Sequence, residues 1–330
     1  MKITILEFAP CVDWIYHFRC DEEEGYITGD ERQVTIRSGA KLRPHTASIY
    51  AGGKATNVAR VMDKLLREED TADIELVVFR PDSPEGRYIH ELQTSALHRV
   101  CVRPVIIKGL ARLCVDLLDP TTPAAHRPAF NISPRAVWQE GSLEQALEFA
   151  STITTDLLLI AGNPPMIETT NELAVDLYAQ IIEQARPRLK IVSLDTEKKS
   201  LANCLQAKAH PDVIKINDGE RDAISTSLWG KFAGTLVVTD AQGCLVQEKQ
   251  QASQRVRGIN VEKLFSTIGA GDAVHAGFTL ARWLWGFDII RAARYGQAAA
   301  AATISMAEGT RGISKHLVEK LFAELENERD

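Results

Sequence analysis

Two short stretches hold the residue types that could do chemistry. One is Gly269-Ala270-Gly271-Asp272 in LFSTIGAGDAVHAGF, where a flexible tripeptide meets a carboxylate at the start of an apolar periodic segment. The other is Gly52-Gly53-Lys54 in AGGKATNVARVM, where a diglycine precedes a cation and, three residues on, Asn57. A helix N-terminus offers unpaired N–H groups and a partial positive charge. Glycines let that backbone approach an anion with no side chain between. Gly269, Ala270 and Gly271 therefore read as an anion cradle. Asp272 has two readings. A carboxylate at a helix start can be a cap. Beside a bound phosphate it would be repulsive unless it has a task. The natural task is to take a proton from a hydroxyl as that hydroxyl attacks phosphorus, with the cradle amides stabilising the charge that develops. At the other stretch, Lys54 supplies positive charge and Asn57 both donates to and accepts from hydroxyls. GGK alone also reads as an ordinary strand-to-helix turn.

Such residues need elements to bring them together. The chain has 330 residues and alternates short apolar runs (IELVVF, VRPVIIK, DLLLIAG, KIVSLD, DVIKIN, TLVVT) with helical patterns (NVARVMDKLLREE, SLEQALEFAS, NELAVDLYAQIIEQA, DGERDAISTSLWG). Continuous apolar runs are the mark of strands buried on both faces, and the alternation predicts a mainly parallel α/β sheet covered by helices. In such sheets ligands sit beyond the C-terminal strand ends, where helices begin. The last third is helical, from GDAVHAGFTLARWLWG through DIIRAARYGQAAAAATISMAE to SKHLVEKLFAELENE. Residues 14–51 differ, with charged, alternating pieces such as RQVTIRSG and TASIY that read as antiparallel ribbon outside the core. The Pro-rich stretch 119–134 reads as a connection within one domain.

Composition removes several classes. A net charge of −6 gives no ground for bulk binding to nucleic acid or an anionic membrane. No run of about 18 apolar residues suggests a membrane span, and MKITILEFAP reads as a strand rather than a signal peptide. A cytoplasmic location is expected. The six cysteines (Cys11, Cys20, Cys101, Cys114, Cys204, Cys244) contain no CxxC pair, which argues for reduced thiols rather than a zinc site. No GxGxxG follows the first strand, which disfavours a dinucleotide-binding dehydrogenase.

FSTIGAGDAVHAGF and AGGKATNVARVM together resemble the C-terminal and N-terminal signatures of the ribokinase-like sugar kinases, in their phosphofructokinase B branch. That branch includes 6-phosphofructokinase, 1-phosphofructokinase and tagatose-6-phosphate kinase. The resemblance implies a ribokinase-like fold: one domain over 1–330, with a small β-sheet lid from parts of 14–51 and about 103–118. It implies ATP-dependent phosphorylation of a hexose phosphate, with Asp272 as base and the 269–271 amides as anion hole. APCVDWIY looks like the family's NPxxD start, which makes Asp13 a sugar ligand beside Gly52, Gly53, Lys54 and Asn57. Lys41 and Arg43, in the KLR segment, and Arg112, in a TRxN-like strand, would hold the sugar phosphate. IKINDGE looks like KPNxxE, so Asn217 and Glu220 would hold magnesium through water. The same two residues also read as a helix cap. Lys215, Thr239, Gly243 and Gly309 would lie near the nucleotide. In relatives such lids often pair between subunits, which suggests a homodimer.

The match has departures. AGNPPM at 161–166 puts Gly162 and Asn163 in place of a serine and a leucine, Ala55 replaces a glycine, and Cys114 stands where an asparagine is expected. VVTDAQG at 237–243 puts Asp240 near the nucleotide, unfavourable unless it points away. The ribbon carries an acidic insertion around DEEEGYITGDER. Two other readings therefore stay open: a kinase of an unphosphorylated sugar, sugar acid or nucleoside, and a catalytically weak protein that binds sugar or nucleotide.

Overall fold

The computed structural model describes residues 1–17, 27–30, 33–36, 46–118, 130–249 and 251–327. Lys41, Arg43 and most of the acidic insertion lie outside them. Nine strands form the main sheet, in the spatial order Gln254–Arg257, Gly243–Glu248, Thr235–Asp240, Val213–Asn217, Leu189–Asp195, Thr155–Ala161, Lys2–Glu7, Asp73–Pro81, Val100–Ile107. From Thr235–Asp240 to Val100–Ile107 every neighbouring pair is parallel. The final two strands add on antiparallel.

The central strands are apolar at successive positions because both faces are covered. On one face Val58, Met62, Leu65, Val274, Phe278 and the alanines of Ile289–Ile304 join Ile3, Ile5 and Leu157. On the other, Trp138, Tyr178, Ile181 and Leu201 pack on Leu6, Phe8, Leu158 and Ile160. Each of the buried Val, Leu, Ile, Phe and Met side chains among them contributes roughly 1.5–3 kcal/mol. The alanine-rich face of Ile289–Ile304 lets it lie close against the helix Ala270–Thr279, which anchors the start of that helix at the sheet.

A smaller sheet stands to one side, ordered Phe130–Ile132, Arg112–Leu118, Cys11–His17, Thr46–Gly52. Of the segment from about 103 to 118 expected in a lid, only Arg112–Leu118 lies in this sheet. Val100–Ile107 is instead the edge strand of the main sheet, because its apolar residues pair in parallel with Asp73–Pro81. A two-stranded ribbon, Ile27–Asp30 with Gln33–Ile36, is separate.

Several elements differ from the sequence expectation. The helix read from 171 starts at Leu177, because Asn171 takes a left-handed φ of 55° and Glu172–Leu173 pairs with Met166–Ile167. The segment 218–230 splits into two short helices, Asp218–Asp222 and Thr226–Trp229. After Thr279 the helix widens into a π turn, Leu280–Leu284. No helix among the described residues is long and apolar enough to cross a membrane.

Candidate active site

The helix Ala270–Thr279 begins at Gly269, whose φ of 80° favours glycine. A Cβ there would also stand 2.7 Å from Thr310 Cγ2. Asp272 lies in the first turn, only 7% exposed. It accepts a hydrogen bond from Asn57 Nδ2 at 2.8 Å. Asn57 Oδ1 in turn accepts from Arg60 Nη1 at 2.7 Å and from Thr310 Oγ1 at 3.3 Å. The two motifs therefore meet: GGKATN, on a neighbouring helix of the same sheet face, holds the carboxylate of GAGD. Burial raises the Asp272 carboxyl above its ordinary range, against the pull of Lys54. A carboxylate held this way can accept a proton from a hydroxyl.

Next to it lies a charge cluster that the motifs only partly signalled. Asp195, fully buried at the C-terminal end of its strand, accepts from Lys54 Nζ and from Lys215 Nζ, each at 2.8 Å. Burial alone would raise the Asp195 carboxyl, but Lys215 and then Lys54 hold it well below the usual carboxylate range. Burial pulls Lys54 down, yet Asp195, Glu220 and Asp272 carry it above the ordinary lysine range. The Lys215 ammonium sits 2.6 Å from where a Cβ on Gly271 would stand, so its charge faces the cradle directly. Behind the helix, His275 Nε2 pairs with Ser193 Oγ at 2.7 Å, and burial lowers its pKa to about 4, so the imidazole is neutral.

On the other side of the cleft the small sheet supplies Asp13. Its carboxylate lies 2.0 Å from where a Cβ on Gly52 would stand. Gly53 takes φ 115°, over the carboxylate of Glu7. Burial raises Glu7 to about 7, although the Thr56 and Ala9 amides donate to it. Asp13, Asn57, Gly269, Gly309, Thr310 and Arg311 line one cleft. Arg112 is not free toward that cleft. Its guanidinium donates to Pro134 O at 2.7 Å, to Ala9 O at 3.1 Å and to Ser133 Oγ. Arg311 stacks on Tyr50 at 3.6 Å.

At the end of the strand Val213–Asn217, Asn217 and Glu220 form a capping box. Asn217 Oδ1 accepts from Glu220 N, and Glu220 Oε2 accepts from Asn217 N, both at 2.8 Å. The capping expectation is thus realised. Glu220 Oε1 also faces Lys54 at 3.7 Å. Both residues offer hard oxygen donors beside the lysines, a set that suits magnesium held through water. Thr239 Oγ1 donates to Ile216 O at 3.2 Å. Asp240 is neutralised locally, because Arg255 Nη1 donates to it at 2.6 Å. Gly243 opens the antiparallel strand Gly243–Glu248, and Gly309 opens a single turn ending at Arg311. In the altered turn, Asn163 Nδ2 donates to Glu197 Oε1 at 2.8 Å, and Gly162 N donates to Asp195 O at 2.9 Å. Sequence reasoning missed Asp195, Arg60, Glu7 and Arg311. For Asp195 a signal existed: a lone aspartate ending the apolar run KIVSLD, where parallel sheets place ligands.

A parallel sheet with a helix N-terminus and a buried aspartate bridging two lysines at its strand ends, beside a small separate sheet, defines the ribokinase-like α/β class. The chain belongs to the pfkB family carbohydrate kinases, whose family model matches residues 25–315. It is therefore a sugar kinase, and kinases of this family use ATP. Tagatose-6-phosphate kinase of Staphylococcus epidermidis is 24% identical over 255 residues, covering 71% of this chain and 75% of that one. Phosphofructokinase-2 from Escherichia coli has the same fold, with a TM-score of 0.77, 22% identity, and coverage of 98% of this chain and 99% of that chain. A possible 1-phosphofructokinase from Thermotoga maritima gives 0.71, 17%, and 98% of each chain.

Proposed function

We propose that the protein transfers the terminal phosphoryl group of ATP to a hydroxyl of a hexose phosphate, of the fructose 6-phosphate, fructose 1-phosphate or tagatose 6-phosphate class. The observation that carries this is Asp272, buried in the first turn of a glycine-started helix and held by Asn57 from the second motif. Asp272 accepts the proton of the attacking hydroxyl. The 269–271 amides and Lys215 hold the transferring group. Asp13 and Asn57 hold sugar hydroxyls, and Lys54 faces the phosphates. Magnesium, held through water by Asn217 and Glu220, would neutralise nucleotide phosphate charge. Thr239, Gly243 and Gly309 lie on the nucleotide side. The small sheet closes over the sugar and excludes water, which limits hydrolysis of ATP. Leu113 and Ile132 are exposed on that sheet, which supports a homodimer through the lid.

One observation favours a second reading, a kinase of an unphosphorylated sugar, sugar acid or nucleoside. Arg112 already donates to two backbone carbonyls and Ser133, so it needs a rearrangement to grip a phosphate. The discriminating experiment is coupled ADP release with MgATP over fructose 6-phosphate, fructose 1-phosphate, tagatose 6-phosphate, fructose, tagatose and ribose. A phosphosugar whose KM rises sharply in Arg112→Ala, with melting temperature retained, supports the first reading. Turnover of a free sugar alone, indifferent to Arg112→Ala, supports the second. Binding by calorimetry without turnover of any sugar would overturn both.

A further inference from the structure

We propose that Cys11, Cys114 and Asp13 form a binding site for a thiophilic divalent cation, Zn²⁺ in class, at the sugar end of the cleft. The spacing of the cysteines along the chain gave no hint of it; the pairing of two strands creates it. Cys11–His17 runs parallel to Arg112–Leu118, with Cys11 opposite Arg112 and Asp13 opposite Cys114. Residues two apart on a strand share a face, and so do direct partners across a pair. Cys11, Asp13, Arg112 and Cys114 therefore make a square on one face of the small sheet.

The donors converge there. One ligand atom from each of Cys11, Asp13 and Cys114 lies within 4.8 Å of the other two. Cys11 Sγ already donates to Asp13 Oδ1 at 3.1 Å. A tetrahedral ion about 2.3 Å from each sulfur places the sulfurs roughly 3.8 Å apart. Contraction by at most about an ångström completes the set. The alternative product of two neighbouring thiols, a disulfide, fits less well. The register sets the two cysteines one strand apart laterally and two residues apart along the strand, so their Cα atoms are separated by roughly 8 Å. A disulfide tolerates at most about 7 Å; a metal ion, which replaces an S–S bond of about 2 Å by a sulfur-to-sulfur span of roughly 3.8 Å, reaches further.

Charge also fits. Binding releases the two thiol protons. Two thiolates and a carboxylate then exceed the ion by one negative charge, and the Arg112 guanidinium, with Nη2 at 3.5 Å from Cys114 Sγ, offsets it. Both cysteines are buried, while Asp13 lines the cleft and leaves the fourth position reachable from it. An ion there occupies the carboxylate that a sugar would use, so ion and sugar exclude each other. That consequence rests on the kinase reading above; the site itself does not.

The test is a Co²⁺ titration of freshly reduced, desalted protein under anaerobic conditions. One equivalent is expected to give tetrahedral d–d bands and a sulfur-to-cobalt charge-transfer band, all bleached by one equivalent of Zn²⁺. The bands are lost in Cys11→Ser and in Cys114→Asn, and kept in Cys101→Ser, the exposed thiol. Circular dichroism confirms that each variant is folded; should Cys11→Ser fail to fold, Cys114→Asn decides. Absence of the bands in the wild type, or their survival in Cys114→Asn, overturns the site. Zn²⁺ is expected to raise the KM of the sugar at least tenfold at saturation, with kcat recovered at high sugar. Bands with an unchanged sugar KM would keep the site and overturn the exclusion. A protein that turns over no sugar but shows the bands would keep the site and sink only the kinase reading.

Discussion

Replacing Asp195 with asparagine is the most direct probe of the charge cluster. Asp195 is fully buried and accepts from two ammonium groups at 2.8 Å. At that distance, with an effective dielectric constant of about 20, each pair attracts by roughly 6 kcal/mol, most of it offset by desolvation of the ions. The asparagine variant leaves those ions without their counter-charge. The Lys215 side chain is only 6% exposed, so it becomes a buried cation without its hydrogen-bonded counter-ion. Breaking a buried pair from one side costs about 3–5 kcal/mol. Lys54 is 36% exposed and reaches water, so it adds little. For a chain of 330 residues the unfolding entropy is roughly 0.7 kcal/mol/K, and the melting temperature should fall by about 4–7 °C.

Urea and thermal unfolding at pH 7 measure the loss. Adding Lys215→Met to Asp195→Asn removes the orphaned cation and should recover about half of the lost stability, because an apolar side chain replaces a stranded charge. The folded Asp195 carboxyl lies below its unfolded value. Its contribution is therefore fully present above the ordinary carboxylate range and is lost only as pH falls toward the folded value. The gap between wild type and variant should stay constant from about pH 8 to 5 and narrow in acid. A loss under about 1 kcal/mol, or two substitutions whose costs simply add, would refute the reasoning.

Three further expectations follow from the same geometry. Asp272→Asn should lower kcat by about 10²- to 10⁴-fold with the melting temperature retained; because burial raises that carboxyl and Lys54 lowers it, Lys54→Met should move the acidic limb of the rate profile to higher pH. Glu7, raised from 4.5 to about 7, keeps its proton in the folded state while the unfolded chain loses it, so stability should fall by about 3 kcal/mol between pH 4.5 and 7. Glu7→Gln should flatten that slope in urea unfolding; equal slopes would show that another group titrates. Gly53→Ala forces a side chain into φ 115° and against the Glu7 carboxylate, and should destabilise by at least about 1–3 kcal/mol, read as a lower melting temperature.

Much of this was legible where chemistry and local pattern coincide. The apolar runs KIVSLD, DVIKIN and TLVVT became adjacent parallel strands, and GAGD and GGKATN met at a hydrogen bond between residues 215 positions apart. What stayed hidden depends on partners far along the chain. Asp195 could be read as the end of a strand, but only the sheet order places Lys54 and Lys215 on its two oxygens. Asp240 looked unfavourable beside a nucleotide because its partner, Arg255, lies on an antiparallel strand that carries little period-2 signal of its own. Cys11 and Cys114 looked scattered because their neighbourhood is a register between strands about a hundred residues apart. The helix read from Asn171 failed for a local reason, a left-handed residue that the apolar periodicity does not reveal.

The carboxylate beside the cradle poses a final question of charge. Around the helix start, Lys54, Lys215 and Arg60 face Asp195, Asp272 and Glu220, three cations against three carboxylates. Lys215 resolves the local conflict, since its ammonium lies against Gly271 and offsets Asp272 at the point where an anion would rest. Among the described residues this cluster, however, has no surplus positive charge with which to neutralise a polyphosphate. ATP should therefore need its own cation. Without divalent ions its dissociation constant is expected to rise at least about tenfold, the equivalent of roughly 1.4 kcal/mol. Asn217→Ala and Glu220→Gln should each raise the magnesium concentration required for half-maximal turnover. Calorimetry of ATP with excess chelator, against the same titration in magnesium, measures the first effect. Equal affinity in both would mean that the lysines alone carry the phosphates, and that Asn217 and Glu220 serve only as the cap of their helix.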